Sequence, residues 1–278
     1  MDRTAARSKQ KRLLKRLARL DSLAVAFSGG VDSTFLLAAA REALGQKVVA
    51  TTAISPIHPR REQDQAVRFA RERGIELVLL HTGELQMPEF VANQTDRCYH
   101  CKAALCRQLL VLASERGIAH AAHGANVDDL NDYRPGLTAA REAGLTAPLI
   151  EADLSKEEIR FLAKEMGLSE WDKPALACLA TRFPYGSPIT PDGLQMVEAA
   201  EEFLADLGFS GVRVRHHGSV ARIEAAFQEI EKMAAEDMRM RIVERLRAIG
   251  FKHVALDMEG YVHGKMNREM GESHDIGP

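Results

Sequence analysis

Hydrophobic positions recur along this chain at two spacings, and the switches between them mark its elements. Between Lys9 and Leu20, apolar residues fall at Leu13, Leu14, Leu17 and Leu20. That is close to the i, i+3, i+4, i+7 stripe of an amphipathic helix, here expected to pack on a sheet edge. Short apolar runs follow, each feeding a helical stretch that a glycine stops. Residues 23–27 read as a first strand, 32–44 as a helix ended by Gly45, and 47–54 as a second strand. Residues 60–73 read as a helix ended by Gly74, and 75–81 as a third strand. The order β-α-β-α-β with short crossovers predicts a parallel, right-handed sheet.

The pattern continues with a short helix or loop at 88–93 and a helix at 101–116 with Leu105, Leu109 and Leu112 on its apolar side. A fourth strand is expected at 118–122, a short helix at 137–143 and a fifth strand at 146–150. The helix at 155–166 opens with Ser155 and carries Glu158 three residues on, the spacing of a capping box. Residues 167–191 change character, with Pro174, Pro184, Pro188, Pro191 and Gly186. Loops this long are usually functional or disordered. Trp171, Leu176, Leu179, Phe183 and Tyr185 argue for order. A second module follows: a helix at 192–207, strands at 212–217 and 219–224 around His217-Gly218, and a helix at 228–249. Residues 253–256 lead into a last hairpin through Glu259-Gly260, and the polar tail after Lys265 is expected to fray. The expected fold class is α/β: a parallel-sheet domain over residues 1–187 and a small C-terminal α/β module over 188–278 with a largely antiparallel sheet.

Composition adds limits. Of 278 residues, 46% are hydrophobic and only 5% aromatic, so the core is aliphatic, as suits a parallel sheet covered by helices. A net charge of −2 argues against a whole-surface nucleic-acid binder. The basic run from Arg7 to Arg19 reads as the solvated face of the first helix. No signal peptide is visible, and the apolar run at 23–27 is too short to span a bilayer, so the expected location is cytoplasmic. Cys98, Cys101, Cys106 and Cys178 are not expected to form disulfides in that reducing compartment.

The candidate chemistry starts at Ser28-Gly29-Gly30-Val31-Asp32-Ser33, between the first strand and its helix. The first amides of a helix lack internal partners, the dipole is positive there, and glycines let backbone approach a phosphate. No lysine follows the glycines, which excludes a Walker P-loop, and G-x-G-x-x-G is absent. The hexapeptide resembles the pyrophosphate loop of the PP-loop ATP pyrophosphatase superfamily (adenine nucleotide alpha hydrolase-like), which cleaves ATP between its α- and β-phosphates. The resemblance implies that Ser28, Gly29, Gly30 and Ser33 surround pyrophosphate and that Asp32 holds Mg²⁺.

Cys98-Tyr99-His100-Cys101 is a C-x-x-C at a helix start, and Cys178 lies beyond the expected fifth strand. If the long loop folds over the carboxyl ends of the strands, three thiolates meet above the nucleotide. That set suits a 4Fe–4S cluster with one open iron, or zinc completed by His100 or water. A lone redox pair and unrelated buried thiols are the alternatives. Cys106, five positions after Cys101, is off that face and reads as a packing residue. Arg213 and Arg215 lie two apart on a strand and share a face, where a guanidinium pair suits a phosphate; a solvated strand face is the alternative. Glu202 and Glu224 are candidate polar or metal contacts, each otherwise a surface carboxylate. His81, His123, His216 and His217 read as structural. Asn126, Asp128 and Asp129 line the nucleotide site or order their loop.

Together, Ser28–Ser33, the segment from Gly124 to Asp129 with 132–136, the run 173–186 and the stretch from Val212 to His217 resemble the LarE family over nearly the whole chain. The resemblance implies an ATP-dependent sulfurtransferase of nickel-pincer nucleotide biosynthesis, the cofactor of lactate racemase. ATP adenylates the carboxylates of a pyridinium-3,5-dicarboxylate mononucleotide, AMP and pyrophosphate leave, and thiocarboxylates form. Cys178 matches the cysteine whose own sulfur is sacrificed in some members. Cys98 and Cys101 beside it match the three-cysteine type, in which a 4Fe–4S cluster carries the sulfur. Arg182 is then expected on a substrate carboxylate or the AMP phosphate, and Gly124 in the nucleotide site. Expected partners are the nucleotide substrate, a sulfur-donor protein and further copies of the chain, without membrane or nucleic acid. A PP-loop tRNA thiolase and a non-catalytic nucleotide- or metal-binding module are the alternatives.

Overall fold

The computed structural model describes residues 1–131, 134–174, 177–262, 264, 265 and 268. The chain divides into two compact units, Met1–Glu84 with Cys98–Leu176, and Leu85–Arg97 with Ala177–Pro278.

The first unit is an α/β layer structure. Its elements are α1 (Arg3–Leu17), β1 (Leu23–Ala26), α2 (Val31–Leu44), β2 (Val48–Ile54), α3 (Arg60–Glu72) and β3 (Glu76–His81). After α4 (Pro88–Val91), which belongs to the second unit, come α5 (Arg97–Glu115), β4 (His120–His123), α6 (Pro135–Glu142), α7 (Pro148–Glu151) and α8 (Lys156–Glu165). The sheet order is β3-β2-β1-β4, and every pair is parallel. Strand side chains alternate between faces. Leu23 and Val25 of β1 accordingly join Leu13, Leu17, Phe35, Ile159 and Leu162 in one core. Ala24, between them, joins Cys106, Leu109, Ala121 and Ala140 on the other side. Strand order reverses direction between β1 and β4, so the loops after these two strands flank a crevice at the carboxyl edge.

Three expectations for this unit change. The first helix starts at Arg3, where the Asp2 carboxylate accepts from Thr4 N at 2.9 Å and Ala5 N at 3.3 Å. It packs on α2 and α8 rather than on a sheet edge, because its stripe meets a helix layer already covering the strands. The expected fifth strand is reduced to one bridge between Ala122 and Thr146. Pro148 has no amide to continue a ladder and its ring favours the first helical turn, so α7 forms instead. The helix expected from Cys101 begins at Arg97, which places both Cys98 and Cys101 on it. The capping box at Ser155 forms as expected, with Glu158 N donating to Ser155 Oγ and Ser155 N donating to Glu158 Oε2.

In the second unit, α9 (Pro191–Asp206) precedes the hairpin of β5 (Arg213–His217) and β6 (Val220–Glu224). Then come α10 (Phe227–Ala234), α11 (Glu236–Ile249) and β7 (His253–Leu256). The single helix expected over 228–249 is broken at Ala235, whose backbone is extended (φ −55°, ψ 141°). The helix pair carries the chain back over the sheet, so β7 pairs parallel with β6. The sheet is mixed, not largely antiparallel, and β7 does not continue into a paired hairpin strand among the described residues. The long loop is ordered by Asn93, fully buried at φ 56°, whose amide donates to the carbonyls of Pro184 and Ser187 at 2.8 Å each. Arg97 donates to the Asn93 side chain and lies over the Tyr185 ring, 4.6 Å from its centroid. The tail beyond Lys265, Asp132-Tyr133 and Ala175-Leu176 fall outside the described residues, apart from Arg268.

Candidate functional site

The Ser28–Ser33 loop turns where β1 runs out into α2. Gly29 takes φ 72°, a backbone that side chains rarely adopt, and Gly30 is the N-cap. The loop is tied internally. Ser28 N donates to Ser33 Oγ at 3.2 Å, the two hydroxyls are 3.1 Å apart, and Ser33 Oγ donates to Gly30 O at 3.1 Å. Gly124, directly after β4, lies against the start of α2. A Cβ there would sit 2.8 Å from Ser33 N and 2.9 Å from Ser33 Cα, so no larger residue fits without moving backbone. The anion site of α2 and the end of β4 are therefore joined through a glycine contact.

Asp32 projects from the first turn of α2. One carboxylate oxygen, Oδ2, receives the Lys156 ammonium; the other, Oδ1, is buried without a hydrogen-bond partner among the described residues. Burial pushes the Asp32 carboxyl upward, against the lowering effect of Lys156. A buried, half-satisfied carboxylate in the first turn of α2 is a candidate cation ligand.

Two residues here were not expected from sequence. Lys156 is the first residue of α8, and its backbone N–H donates to Asp128 Oδ2 at 2.7 Å. A cation in the first turn opposes the helix dipole, which marks it as a candidate anion ligand. Lys173 donates to Gly29 O at 3.0 Å and to Gln65 Oε1 at 2.8 Å, and burial lowers its ammonium. Nothing in its local sequence signals that contact. Asn126, Asp128 and Asp129 order their own loop: Asp128 N donates to Asn126 Oδ1 and Asn126 N to Asp129 Oδ2, both at 3.0 Å, with Arg134 2.7 Å from Asp129.

His123 ends β4 and is buried, with its imidazole lowered to about 4 by burial and, less, by Lys102. It is neutral at physiological pH, in keeping with a structural part. The unfolded chain binds this proton from about pH 6.5 downward, the folded chain only near 4. Stability should therefore be lost as pH falls through that window, by at most about 3 kcal/mol. Urea midpoints from pH 7 to pH 4 measure it, and His123→Gln should show the flatter profile.

None of the four cysteines is in a disulfide. Cys106 is buried against Leu109 and Ala113, and burial raises its thiol, as expected of a packing residue. Cys98 is exposed and Cys101 half-buried, three residues apart on α5 and so on one face. Cys101 Sγ lies 3.9 Å from Oε1 of Glu84, a buried carboxyl that sequence reasoning missed. Cys178 is half-buried and belongs to the second unit, where it caps a 3₁₀ turn at Leu179–Arg182. Among the described residues, no three His, Cys, Asp or Glu side chains are gathered as metal ligands.

The second unit gathers arginines. Arg213 and Arg215 share a face of β5, as expected, and both are buried rather than solvated. Arg215 pairs with Glu224 at 2.6 Å, and Arg222 approaches the same carboxylate at 3.1 Å. Glu224 is fully buried, so it is no surface carboxylate. Burial lowers the Arg213 guanidinium, and the charges of Arg182 and Arg215 lower it further against Glu201 and Tyr261. Arg182 and Arg215 are paired with Glu201 and Glu224, and Arg213 lies over the Tyr261 ring, 5.4 Å from its centroid. Glu202 is half-buried on α9, while its neighbour Glu201 makes the ion pair with Arg182. His216 stacks on Phe183, with 4.9 Å between ring centroids.

No protein-family model matches the chain. An uncharacterized protein of Synechocystis is 42% identical over 94% of this chain and 97% of its own length. Pyridinium-3,5-bisthiocarboxylic acid mononucleotide synthase of Lactiplantibacillus plantarum is 38% identical over 94% of each chain. This chain belongs to the LarE family. GMP synthase (glutamine-hydrolyzing) of Aeropyrum pernix is 26% identical over 67% of this chain and 40% of that enzyme. The LarE-family chain is an enzyme with an α/β fold of the PP-loop type. No helix among its described residues is long and apolar enough to cross a membrane.

Proposed function

We propose that this chain is an ATP-dependent sulfurtransferase that converts the carboxylates of pyridinium-3,5-dicarboxylate mononucleotide to thiocarboxylates, releasing AMP and pyrophosphate. The product serves the nickel-pincer nucleotide cofactor of lactate racemase. The observation that carries the reading is the Ser28–Ser33 loop at the β1/β4 crevice, in a chain that aligns over 94% of its length with a bisthiocarboxylic acid mononucleotide synthase.

In this reading, Ser28, Gly29, Gly30 and Ser33 hold the leaving pyrophosphate, with Gly124 closing the nucleotide site. Asp32, whose Oδ1 is unpartnered among the described residues, would hold Mg²⁺, which would supply charge neutralisation at the phosphates, and Lys156 would add a second positive charge there. A substrate carboxylate oxygen attacks the α-phosphorus and pyrophosphate departs. The resulting acyl adenylate is open to attack at carbon by sulfur, and AMP leaves with the original oxygen. Cys178 stands at the sulfur-delivering position.

Cys98, Cys101 and Cys178 would hold a 4Fe–4S cluster; three cysteine thiols outside any disulfide, two of them on one helical face, are a fitting donor set. The cluster, when bound, supplies sulfide from an iron that lacks a protein ligand. Arg213, with Arg215 held beside it by Glu224, takes the phosphate of the mononucleotide, supported by their shared, buried face of β5. Glu202 and Glu224 complete the polar surroundings, Glu224 by fixing Arg215 and as a candidate metal contact. The first unit then forms the PP-loop domain, and the second, which takes in Cys178 as well as residues 188–278, the module for substrate binding and assembly into homo-oligomers. A sulfur-donor protein recharges the site, and the thiols place the reaction in the reducing cytoplasm.

The test is ATP–pyrophosphate exchange dependent on the pyridinium dicarboxylate mononucleotide, followed by mass spectrometry of the small-molecule product. Exchange with mass gain from O-to-S replacement is expected. Exchange stimulated by tRNA and not by the nucleotide would overturn the assignment.

A further inference from the structure

Resting on that reading, we infer that Glu201 acts through Arg182 as a positioning pair that fixes the backbone of Cys178, so that Arg182 serves the sulfur step and not the nucleotide. Arg182 is 1% exposed, the largest of the fully buried side chains. Its guanidinium meets Glu201 edge to edge: Nε donates to Oε1 and Nη2 to Oε2, both at 2.8 Å. The third nitrogen, Nη1, donates to the carbonyls of Ala177 at 2.8 Å and Cys178 at 3.2 Å, and to Thr181 Oγ1 at 2.9 Å. Thr181 Oγ1 donates in turn to Cys178 O at 2.8 Å. The carbonyls on both sides of the Cys178 nitrogen and Cα are thus held from one guanidinium.

The anchor is anchored itself. Glu201 sits on α9, and its Oε1 also accepts from Val214 N on β5 at 2.9 Å. Arg215, the next residue along that strand, donates to Thr181 O at 2.8 Å. A helix and a strand therefore converge through Glu201, Arg182 and Arg215 on the five residues 177–181. A bidentate carboxylate–guanidinium pair is planar and directional, which suits setting a position better than recognising a mobile ligand. Sulfur attack needs the reacting atoms within about 3–3.5 Å, and a misplacement of about 1 Å costs on the order of 100-fold. A backbone clamp on the sulfur-bearing residue supplies that precision.

The test separates the two half-reactions in Glu201→Gln and in Thr181→Val, the second of which removes a clamp hydroxyl without leaving a buried charge unpaired. Sulfur transfer should fall by on the order of 100-fold in Glu201→Gln and by a smaller factor in Thr181→Val. Nucleotide-dependent ATP–pyrophosphate exchange should stay within about two-fold of wild type, with the KM for ATP unchanged. In the reduced, iron-free full chain, the rate of Cys178 alkylation by iodoacetamide should change in both variants while Cys98 and Cys101 keep theirs. Exchange that falls in parallel with sulfur transfer in Thr181→Val, or an unaltered Cys178 alkylation rate in both variants, would overturn the positioning role. If wild-type protein shows no exchange, the functional reading fails, and the alkylation rates still decide the clamp.

Discussion

Asp32→Ala is expected to lower ATP–pyrophosphate exchange by about 10²–10³-fold, the cost of removing one preorganised electrostatic group from a phosphoryl-transfer site. Pairing and burial at this residue are not arranged for stability. Its carboxyl is pushed upward by burial, Oδ1 has no partner among the described residues, and the Lys156 ammonium stands on the other oxygen. A carboxylate held in such surroundings is strained toward neutrality, and a divalent cation relieves that strain. The variant should therefore unfold within about 1 kcal/mol of wild type, as surface and functional-site changes commonly do. Asp32→Asn keeps the shape and loses the charge, so it should fail in exchange equally. Iron content should be unaffected, since Asp32 is no cluster ligand. Full exchange by Asp32→Ala at saturating Mg²⁺ would remove the residue from the metal site.

Cys178→Ala should abolish thiocarboxylate formation while leaving ATP–pyrophosphate exchange near the wild-type rate. The two activities separate because Cys178 lies in the second unit, whereas the loop that activates ATP is in the first. The substitution should also remove the visible absorbance of anaerobically loaded protein, as should Cys98→Ala and Cys101→Ala, because a cluster bound by three thiolates does not survive on two. Cys106→Ala should leave that absorbance intact, since its thiol is core packing. Mass spectrometry of wild-type protein after turnover checks the alternative. Unchanged mass over many turnovers agrees with delivery through a cluster. Loss of the elements of H₂S from Cys178, without any iron bound, assigns the sulfur to the cysteine itself.

Much of the first unit was legible because its signals are local. Glycines at 45, 74 and 117 end helices, apolar runs of four to seven residues make the strands, and Ser155 with Glu158 caps α8. The elements that were misread depend on what packs against them. Thr146 makes a single bridge before Pro148 turns the chain into α7, although 146–150 has strand composition. Residues 228–249 have a continuous helical pattern, and only the extended backbone at Ala235 splits them, which in turn lets β7 run parallel to β6. Breaks of this kind are set by the sheet the chain has to rejoin.

The candidate site divides along the same line. From sequence came the residues with intrinsic chemistry: the Ser28–Ser33 hexapeptide, the C-x-x-C with Cys178, and Arg213 with Arg215 two apart on a strand. Each is a short pattern whose meaning follows from residue type and spacing. The partners that orient those groups were invisible, because they lie far along the chain. Lys156 reaches Asp32 across 124 positions, and Lys173 reaches Gly29 across 144. Gly124 is expected in the nucleotide site from the segment it opens, but that a Cβ there would collide with Ser33 follows only from the fold. Arg182 is the sharpest case. Its place four residues after Cys178 suggested a ligand contact, and only the folded unit shows its guanidinium spent on Glu201 and on the carbonyls of 177 and 178. The sequence by itself determined which reactive groups exist and the layer type that carries them. The tertiary structure alone decided which of them are buried, paired and aimed, because hydrogen bonds and desolvation depend on neighbours in space and not on neighbours in the chain.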